Sequence, residues 1–310
     1  MNILITGGLG FIGANIVSAL GTDHTIDILD AYDDNYVGNK YIHRGSKGLQ
    51  ETNDIEKKHR ELNKRYRDSL ILNKYRNLYR SWSFEELPNN NYDLIINCGA
   101  LSEAILSQHF PEFTTQSILD GISNIKKTYF RTDVLHLSSS MVYGTWEERI
   151  DEQYSLGAVD HYGAMKTKAE TICSKTDVVL RPIHVYGMGD GKFSIWMNIE
   201  RQLSINKPFQ IEKAGCIYID DFVLAVKNII DKWIPGIYNI SYNFTRNSQD
   251  IKKTYPTDFE IIEKLGPTGK PRGLLNSDKL VNTFKLDFMY KDYLATIEDY
   301  YKKYEDFCKK

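Results

Sequence analysis

The sequence has few cysteines, and they do not form the patterns that bind zinc. The four cysteines are Cys98, Cys173, Cys216 and Cys308, with no CxxC pair among them and no histidines at zinc-like spacing. Zinc sites are normally built from such groups. The sequence therefore predicts no metal at the functional site, and a reducing compartment is the simplest interpretation of the cysteine usage.

Long apolar runs are also missing. No stretch approaches the roughly 20 apolar residues that are needed to cross a bilayer. Met1 to Thr6 has the pattern of a strand and not of a charged leader followed by an apolar signal segment. We therefore expect no membrane partner and a cytoplasmic location.

The chain carries little excess charge of either sign. Its formal net charge is −2 at pH 7, and its 42% hydrophobic and 26% charged residues are typical of a globular protein. The stretch from Lys57 to Arg80 is rich in Lys and Arg, which fits either nucleic-acid binding or the solvated face of a helix. Without a general positive field, we expect no nucleic-acid partner.

What the sequence does contain is an alternation of short apolar runs with helical segments. Strands are predicted over residues 2–6, 26–29, 93–98, 134–137 and 178–180, and helices over 11–20, 113–127 and 162–175. This alternation predicts an α/β fold with a doubly wound parallel sheet of the Rossmann type. The polar connection from Ala31 to Asn91 is predicted to hold a charged helix over 54–67 and a short strand over 70–72.

The alternation fades after Arg181. Helical patterns cover residues 193–203 and 221–230, and extended patterns cover 216–219 and 236–240. A chain of 310 residues is long enough for two unequal lobes. We predict an NAD-type dinucleotide-binding domain over residues 1–180 and a smaller mixed α/β substrate-binding lobe over 181–310, with some segments of the second returning to the first.

Three glycines, Gly7, Gly10 and Gly13, follow the first predicted strand and open the first helix. A pyrophosphate needs bare backbone at such a turn and the free N–H groups of a helix N-terminus. The spacing is GxxGxxG and not the plain GxGxxG fingerprint, and a purely structural turn is the alternative.

Asp30 lies at the predicted end of the second strand, near the roughly 20-residue offset of a carboxylate that binds an adenosine ribose. A carboxylate there accepts a hydrogen bond from the 2′-hydroxyl and repels a 2′-phosphate. No arginine follows until Arg44, so NAD is favoured over NADP. A solvated aspartate at a strand end is the alternative.

Tyr162 and Lys166 are four residues apart in a predicted helix, so their side chains should share one face. A nearby cation stabilises a phenolate and lowers the pKa of the phenol from about 10, which makes a general base. An exposed helical pair is the alternative for YxxxK alone.

The serines Ser138, Ser139 and Ser140 follow a predicted strand, where ligands of open parallel sheets collect. A serine there can steady a substrate oxygen, although turn chemistry is the common role of such a cluster. The glycine turn, the acidic residue, the serines and YxxxK occur in this order, which favours a functional site.

In these features the sequence resembles the NAD-dependent epimerase/dehydratase family, the extended short-chain dehydrogenases. The resemblance covers most of the chain and includes LRPIHVYG at residues 180–187 and IYIDD at residues 217–221, similar to the family's LRPxxVYG and YVDD elements. It implies NAD as the cofactor, a nucleotide-linked sugar as the substrate, and a homodimer formed by pairing helices into a four-helix bundle.

The resemblance also implies roles for individual residues. Ser139, Tyr162 and Lys166 match the catalytic Ser/Thr, the base and its partner. The implied cofactor-binding residues are Gly7, Gly10, Phe11, Ile12, Gly13, Asp30, Ala100, Tyr162 and Lys166. The implied substrate-binding residues are Ser139, Ser140 and Arg272.

The two positions after Ser139 separate reaction types within the family. Family dehydratases typically have Asp-Glu there, whereas this chain has Ser140 and Met141, which cannot supply acid/base chemistry. The resemblance therefore disfavours 4,6-dehydration and favours epimerisation. GMGDG at residues 187–191 and NKPF at residues 206–209 also look more like the epimerases.

Some positions depart from the family pattern. Ala-Gly-Cys at residues 214–216 replaces the arginine that commonly precedes YVDD, so the usual diphosphate contact must come from elsewhere. Arg272 resembles a phosphate-contacting position, Lys192 and Arg201 are weaker candidates, and an exposed cation is the alternative for each. Ser117 stands where an asparagine is usual.

The sequence thus predicts an isomerase of carbohydrate biosynthesis that epimerises a nucleotide-linked sugar with NAD through a transient keto intermediate. The carbon inverted in such reactions is most often C4, and C4 is the prediction here. One alternative is an NAD(P)H-dependent reductase or reductase/epimerase, because PRGLL at residues 271–275 is similar to a stretch of some GDP-sugar members. The other is a non-catalytic NAD-binding scaffold or sensor, suggested by the departures at the nucleotide sites.

Overall fold

The computed structural model describes residues 1–31, 41–43, 49–51, 54–81, 86–102, 104–146, 148–190, 195, 199, 202, 208–255, 259–264 and 273–309. Lys192, Arg201 and Arg272 lie outside these residues, as does most of the helix predicted over 193–203.

The strands of the described residues follow the apolar runs of the sequence. In chain order they are β1 (Asn2–Thr6), β2 (Thr25–Asp30), β3 (Tyr41–His43), β4 (Leu49–Glu51), β5 (Asn77–Arg80), β6 (Leu94–Asn97), β7 (Asp133–Leu137), β8 (Val178–Pro182), β9 (His184–Tyr186), β10 (Phe209–Glu212), β11 (Cys216–Tyr218), β12 (Gly236–Ile240) and β13 (Ile261–Lys264).

Seven of these strands form one parallel sheet in the order β12-β8-β7-β6-β1-β2-β5. The chain builds from β1 outward to β5 and then returns to β6 on the other side of β1. The carboxyl ends of β1 and β6 therefore flank a topological switch point, where open α/β sheets bind ligands.

Helices cover both faces of this sheet. They are α1 (Phe11–Leu20), α2 (Asp54–Ile71), α3 (Ala104–His109), α4 (Pro111–Thr115), α5 (Gly121–Thr128), α6 (His161–Glu170), α7 (Ile219–Lys232), α8 (Ser248–Thr254), α9 (Asp278–Phe284) and α10 (Tyr293–Cys308). Side chains alternate between the faces: Ile3 and Ile5 pack in one cluster with Val17 of α1, whereas Leu4 packs in another with Met165 of α6. Because parallel strands buried on both faces need continuous apolar runs, these strands were readable from the sequence. The prediction of a doubly wound Rossmann sheet is confirmed.

Three local predictions were wrong. The strand expected over 70–72 is the end of α2, and the true edge strand is β5. Leu70 and Ile71 extend the apolar stripe of α2 onto the core, whereas Asn77 and Arg80 make β5 look polar. The helix expected to reach residue 175 ends at Glu170, and Ile219, expected to be extended, begins α7.

Residues after β8 form smaller parallel pairs beside the large sheet. β9 pairs with β11, and β10 pairs with β13. A later segment returns to the large sheet, because β12 pairs with β8. The division into domains over 1–180 and 181–310 stays a prediction. Within the described part of the chain, no helix combines the length and the apolar character that a bilayer span requires.

Candidate active site

The turn after β1 places bare backbone at the switch point. Gly7 has a φ of 67°, and a Cβ there would lie 2.7 Å from the backbone of Gly99, which follows β6. A Cβ on Gly13 would lie 2.1 Å from the carbonyl oxygen of Gly7. α1 begins at Phe11, directly after Gly10. The turn therefore fits a pyrophosphate, which needs this close backbone approach and the N–H groups of a helix N-terminus.

Asp30 lies at the end of β2 and beside the glycine turn. The residue is 7% exposed, and its carboxylate Oδ2 accepts a hydrogen bond from the backbone N–H of Leu9 at 2.8 Å. A carboxylate in this place can also accept from the hydroxyls of an adenosine ribose. The geometry therefore matches the position expected for NAD and differs from a solvated strand end.

Arg67 of α2 belongs to the same region, although the sequence did not reveal it. Its side chain is buried; Nε donates to the carbonyl oxygen of Leu9 at 3.1 Å, and Nη1 donates to that of Gly189 at 2.7 Å. Asn63, one helical turn earlier, accepts from the N–H of Gly189 at 3.1 Å. The spacing of Asn63, Arg67 and Ile71 on one face of α2 was the available signal.

The start of α6 is fixed against the turn that follows β7. The carboxylate of Asp160 accepts from the N–H of Gly163 at 2.7 Å and so caps the helix. A Cβ on Gly163 would lie only 2.5 Å from the carbonyl oxygen of Met141. Glycine at this position therefore lets α6 approach the short 3₁₀ helix Ser140–Tyr143 closely.

Tyr162 and Lys166 lie side by side on α6. Nζ of Lys166 is 5.9 Å from the centre of the Tyr162 ring, and the two side chains are 4% and 8% exposed respectively. Nζ also donates to the carbonyl oxygen of Leu137, the last residue of β7, at 2.6 Å. The pair is thus anchored to the strand end that leads into Ser139, and it is not an exposed helical pair.

Burial lowers the pKa of Lys166 to about 8, because the ammonium group loses its contact with water. The thiol of Cys98 and the carboxylate of Glu170 act in the opposite direction. The charge of Lys166 therefore changes close to neutral pH. An ammonium beside the phenol of Tyr162 stabilises the phenolate, so the pair can serve as a general base.

Ser139 caps the 3₁₀ helix, and its Oγ accepts from the N–H of Met141 at 3.1 Å. This is turn chemistry, but accepting one hydrogen bond leaves the hydroxyl hydrogen to donate to a ligand oxygen. Ser138 instead donates its hydroxyl to the carboxylate of Glu170. Ser140 is buried in the first turn of the 3₁₀ helix.

A row of polar side chains crosses three neighbouring strands beneath these residues. Thr6, Asn97 and His136 are register partners on β1, β6 and β7. Oγ1 of Thr6 donates to Oδ1 of Asn97 at 2.7 Å and accepts from the N–H of Gly99 at 3.2 Å. Nδ2 of Asn97 lies 3.0 Å from Nδ1 of His136. The row therefore joins the glycine turn to the strand that leads into Ser139.

The hydrogen bonds assign His136 as a neutral imidazole. Because Oδ1 of Asn97 already accepts from Thr6, its Nδ2 donates, and Nδ1 of His136 must accept. Burial lowers the pKa of His136 well below its usual value, and the charge of Lys166 acts in the same direction. The sequence pattern did not point to this residue, because a histidine inside an apolar strand gives no local signal.

Ala100 and Ser117 lie near the loop after β6. Ala100 packs beside the apolar cluster that contains Tyr162, and Oγ of Ser117 accepts from the N–H of Leu101 at 3.2 Å. Ser117 stands in the π-helical turn Gln116–Asp120, a geometry that often occurs at functional sites. Ser117 thus steadies the loop beside a residue expected to contact NAD.

Arg272, Lys192 and Arg201 lie outside the described residues, so the diphosphate contact expected of them stays a prediction. Another arginine lies beside position 214. The carbonyl oxygen of Ala214 accepts from the N–H of Arg246 at 3.0 Å, on antiparallel segments bridged at the neighbouring residue pair. Opposed residues of such segments project their side chains to the same side. Nε of Arg246 is buried, with no hydrogen-bond partner among the described residues.

The thiols near Lys166 are held neutral by their surroundings. Burial raises the pKa of Cys98 and of Cys173 to about 12. Over the described ranges, His, Cys, Asp and Glu side chains do not gather in threes as metal ligands would.

Known proteins share both the sequence pattern and the fold. A family model described as NAD dependent epimerase/dehydratase family matches residues 3–241. No curated protein matches the chain. Three solved structures with the same fold are less than 25% identical to the chain.

UDP-glucuronic acid 4-epimerase from Bacillus cereus in complex with NAD has a TM-score of 0.74, is 17% identical and is matched over 99% of both chains. UDP-N-acetylglucosamine 4-epimerase from Methanobrevibacter ruminantium has a TM-score of 0.74, is 16% identical and is matched over 98% of both. ADP-L-glycero-D-manno-heptose-6-epimerase from Helicobacter pylori has a TM-score of 0.73 and is 16% identical, with 98% of this chain and 96% of that one covered.

The prediction of NAD as the cofactor is confirmed by the family match and agrees with the close backbone approach at Gly7 and Gly13. Since the family model covers well over half of the residues, the chain belongs to the NAD-dependent epimerase/dehydratase family.

Proposed function

We propose that this protein epimerises a nucleotide-linked sugar with NAD, at C4, through a transient keto intermediate. The observation that carries the proposal is the buried Tyr162–Lys166 pair, anchored to Leu137 directly before the three serines. Similar solved proteins include two 4-epimerases of UDP-sugars and a 6-epimerase of an ADP-heptose, which supports the reaction class. The choice of C4 is the finer part of the proposal.

In the proposed mechanism, Tyr162 removes the proton of the sugar hydroxyl and later returns it. Lys166 keeps Tyr162 in the phenolate form and binds the nicotinamide ribose, while Ser139 donates a hydrogen bond to the reacting oxygen. NAD, when bound, would supply a reversible acceptor for the hydride of the same carbon, and return of that hydride to the opposite face of the keto-sugar would leave no net oxidation.

The turn after Ser139 supports epimerisation over dehydration. Water elimination needs an acid/base pair beside the serine, and this chain has Ser140 and Met141 there. Ser140 is 3% exposed, and the backbone of Met141 is used in capping by Ser139. Neither residue offers a proton donor or acceptor with suitable pKa for elimination.

We further propose that Arg246 is a cation that binds the diphosphate of the substrate. It is a second candidate, in addition to Arg272, which was predicted from the sequence. Arg246 lies directly opposite Ala214, so its side chain starts where a longer residue at 214 would project.

Arg246→Met should raise the KM for the sugar nucleotide about tenfold, in line with the loss of one charge-assisted contact, and leave NAD affinity unchanged. Arg131→Met, which removes an exposed arginine after α5, is the matched control. Steady-state kinetics and NAD titration measure both quantities, and an unchanged KM in Arg246→Met would exclude the assignment.

The proposal includes a homodimer, as the family resemblance implies, and a cytoplasmic location, as the lack of long apolar runs in the sequence predicts. Light scattering of the purified protein at micromolar concentration measures the mass, and a monomer would contradict this part alone.

The decisive experiment incubates the purified protein with UDP-, GDP-, CDP- and dTDP-sugars and a substoichiometric amount of NAD, and follows the sugar protons by NMR. An epimerase converts many equivalents of one sugar per NAD, whereas a reductase makes product only when NAD(P)H is added and then consumes it in equal amount.

Tyr162→Phe should lower turnover at least about 1,000-fold, because the base is lost, while NAD still binds. Conversion by Tyr162→Phe at the wild-type rate would overturn the assignment of the base. Binding of NAD with no conversion of any sugar nucleotide would instead favour the scaffold or sensor.

A further inference from the structure

A buried ion pair joins the end of α6 to β8. Arg181 contacts Glu170 through two hydrogen bonds, Nε to Oε1 at 2.9 Å and Nη2 to Oε2 at 2.6 Å. The side chains are 3% and 5% exposed, respectively. Removing both charges from water is costly, and an apolar pair of similar volume is often as stable. Stability alone therefore does not account for this pair.

Both partners also contact the segment that carries Ser139. The carboxylate of Glu170 accepts a hydrogen bond from the hydroxyl of Ser138, the residue next to Ser139. Nη1 of Arg181 donates to the hydroxyl of Tyr143 at 2.8 Å, and its guanidinium lies 4.9 Å from the centre of that ring. The pair thus holds the segment 138–143 at both ends against α6.

The same carboxylate acts on the lysine of the site. Glu170 follows Lys166 by one helical turn, and its negative charge opposes the effect of burial on the pKa of Lys166. The titratable and charged groups around Lys166 come from four elements and the residues that follow them. They are Cys98 after β6, His136 on β7, Tyr162 and Glu170 on α6, Cys173 after α6, and Arg181 on β8, which is paired with Glu170.

We propose that Glu170 and Arg181 are positioning residues for the reaction: the ion pair aligns Ser139 with Tyr162, and the Glu170 carboxylate keeps Lys166 charged. The kinetic part of this inference rests on the proposed function. The part that concerns Lys166 does not, because it describes the protein without substrate.

The substitution Glu170→Gln keeps the shape of the side chain but removes its charge. Arg181 is then left as an uncompensated cation close to Lys166, so the ammonium form of Lys166 becomes less favourable. The double variant Glu170→Gln/Arg181→Met removes both charges, and their opposite effects on Lys166 cancel to a large extent. Comparing the single and double variants therefore separates the charge of the pair from its packing.

The first measurement is an NMR titration of protein labelled at lysine ¹³Cε, with the Lys166 signal assigned by its loss in Lys166→Met. We expect a pKa of about 8 in the wild type, a value at least half a unit lower in Glu170→Gln, and a return toward the wild type in the double variant. Asp287→Asn, which removes a carboxylate from an exposed pair with Lys291, is the matched control and should change nothing.

The second measurement is the pH dependence of kcat and KM on the sugar nucleotide converted by the wild type. In Glu170→Gln, the acid limb of kcat should move to lower pH, because a neighbouring negative charge is gone. Its plateau should fall about tenfold or more, because a neutral amide holds Arg181 and Ser138 less tightly than the carboxylate does, and Ser139 is then less well aligned with Tyr162. KM should stay within about twofold, because the pair lies behind the serine segment. In the double variant the acid limb should return to the wild-type pH, while the kcat plateau should stay below that of the wild type.

A Lys166 pKa that is unchanged in folded Glu170→Gln would overturn the electrostatic role. If Glu170→Gln has a lower kcat plateau but an acid limb at the wild-type pH, the pair has only a structural role. A kcat of Glu170→Gln within twofold of the wild type would overturn the positioning role. If Glu170→Gln does not fold, Ser138→Ala and Tyr143→Phe remove single contacts of the pair, and wild-type kcat in both would contradict the alignment of Ser139. Absence of turnover in the wild type, with the expected pKa changes, would refute the proposed function and leave the role toward Lys166 intact.

Discussion

His136 shows at the scale of one residue how the fold decides the charge of a group. The imidazole is fully buried, accepts from Asn97 and has a pKa well below its usual value of about 6.5. The charge of Lys166 acts on this buried imidazole, so a second positive charge there would oppose the ammonium. The polar row under the site therefore tolerates a histidine as long as it stays uncharged.

The stability of the protein should fall as the pH drops below about 6.5. Unfolded His136 then takes up a proton, whereas the folded form does not, so folding is weakened. Each pH unit below this value should cost about 1.4 kcal/mol of unfolding free energy from this one group. Urea unfolding between pH 6.5 and 5 measures the slope.

His136→Gln is the matched variant, because glutamine does not titrate and can still accept from Asn97. Its unfolding free energy should decrease less steeply over the same range. Equal slopes in the two proteins would show that His136 takes up its proton without unfolding.

At the scale of the element, the close packing of α6 against the 3₁₀ helix depends on the absence of a side chain at Gly163. Gly163 lets the helix lie against the carbonyl oxygen of Met141, and the Asp160 cap fixes where the helix begins. This contact between α6 and the 3₁₀ helix sets how closely Tyr162 and Lys166 approach the segment that carries Ser139.

Gly163→Ala should displace α6, because its Cβ would come within 2.5 Å of that carbonyl oxygen. We expect a loss of about 1–3 kcal/mol in unfolding free energy, as for overpacked cores, and a kcat reduced at least about tenfold. Chemical denaturation and steady-state kinetics measure the two effects.

Gly157→Ala is the control. A Cβ on Gly157 would lie at an ordinary 3.5 Å from the carbonyl oxygen of Tyr143. Wild-type stability in both variants would show that the backbone near Met141 yields easily.

Elements with strong local patterns were predictable from the sequence, and elements fixed by distant contacts were not. β1 and β7 are apolar runs that are buried on both faces, and Tyr162 and Lys166 needed only helical spacing to be placed together. β5 was missed because an edge strand next to β2 keeps polar residues. Sequence reasoning also missed Arg67, because its carbonyl partners are joined only by the tertiary fold.

At the scale of the whole molecule, Asp221 ties the late part of the chain together. Its carboxylate, at the start of α7, accepts from the N–H groups of Met289 and Tyr290 at 2.7 and 3.2 Å and from the hydroxyl of Tyr242 at 2.6 Å. Tyr242 follows β12, and residues 289–290 lead into α10. One buried carboxylate thus connects the large sheet to the C-terminal helix.

Asp221→Asn should lower the free energy of unfolding by about 2–3 kcal/mol, because the amide nitrogen cannot accept and leaves a buried donor unpaired. Thermal and urea unfolding measure this loss. Asp287→Asn, on an exposed ion pair, should stay within about 0.5 kcal/mol of the wild type. Equal stability of the two variants would show that the three donors find other acceptors.

Arg67 donates to the carbonyl oxygens of both Leu9 and Gly189, which are made at different times during synthesis of the chain. The glycines of the first turn leave the ribosome early, but the second carbonyl held by Arg67 emerges only after more than half of the chain. A fragment released before residue 189 therefore contains the whole dinucleotide fingerprint and lacks part of its support. Until the later turn has been translated, Arg67 can donate to Leu9 but not to Gly189.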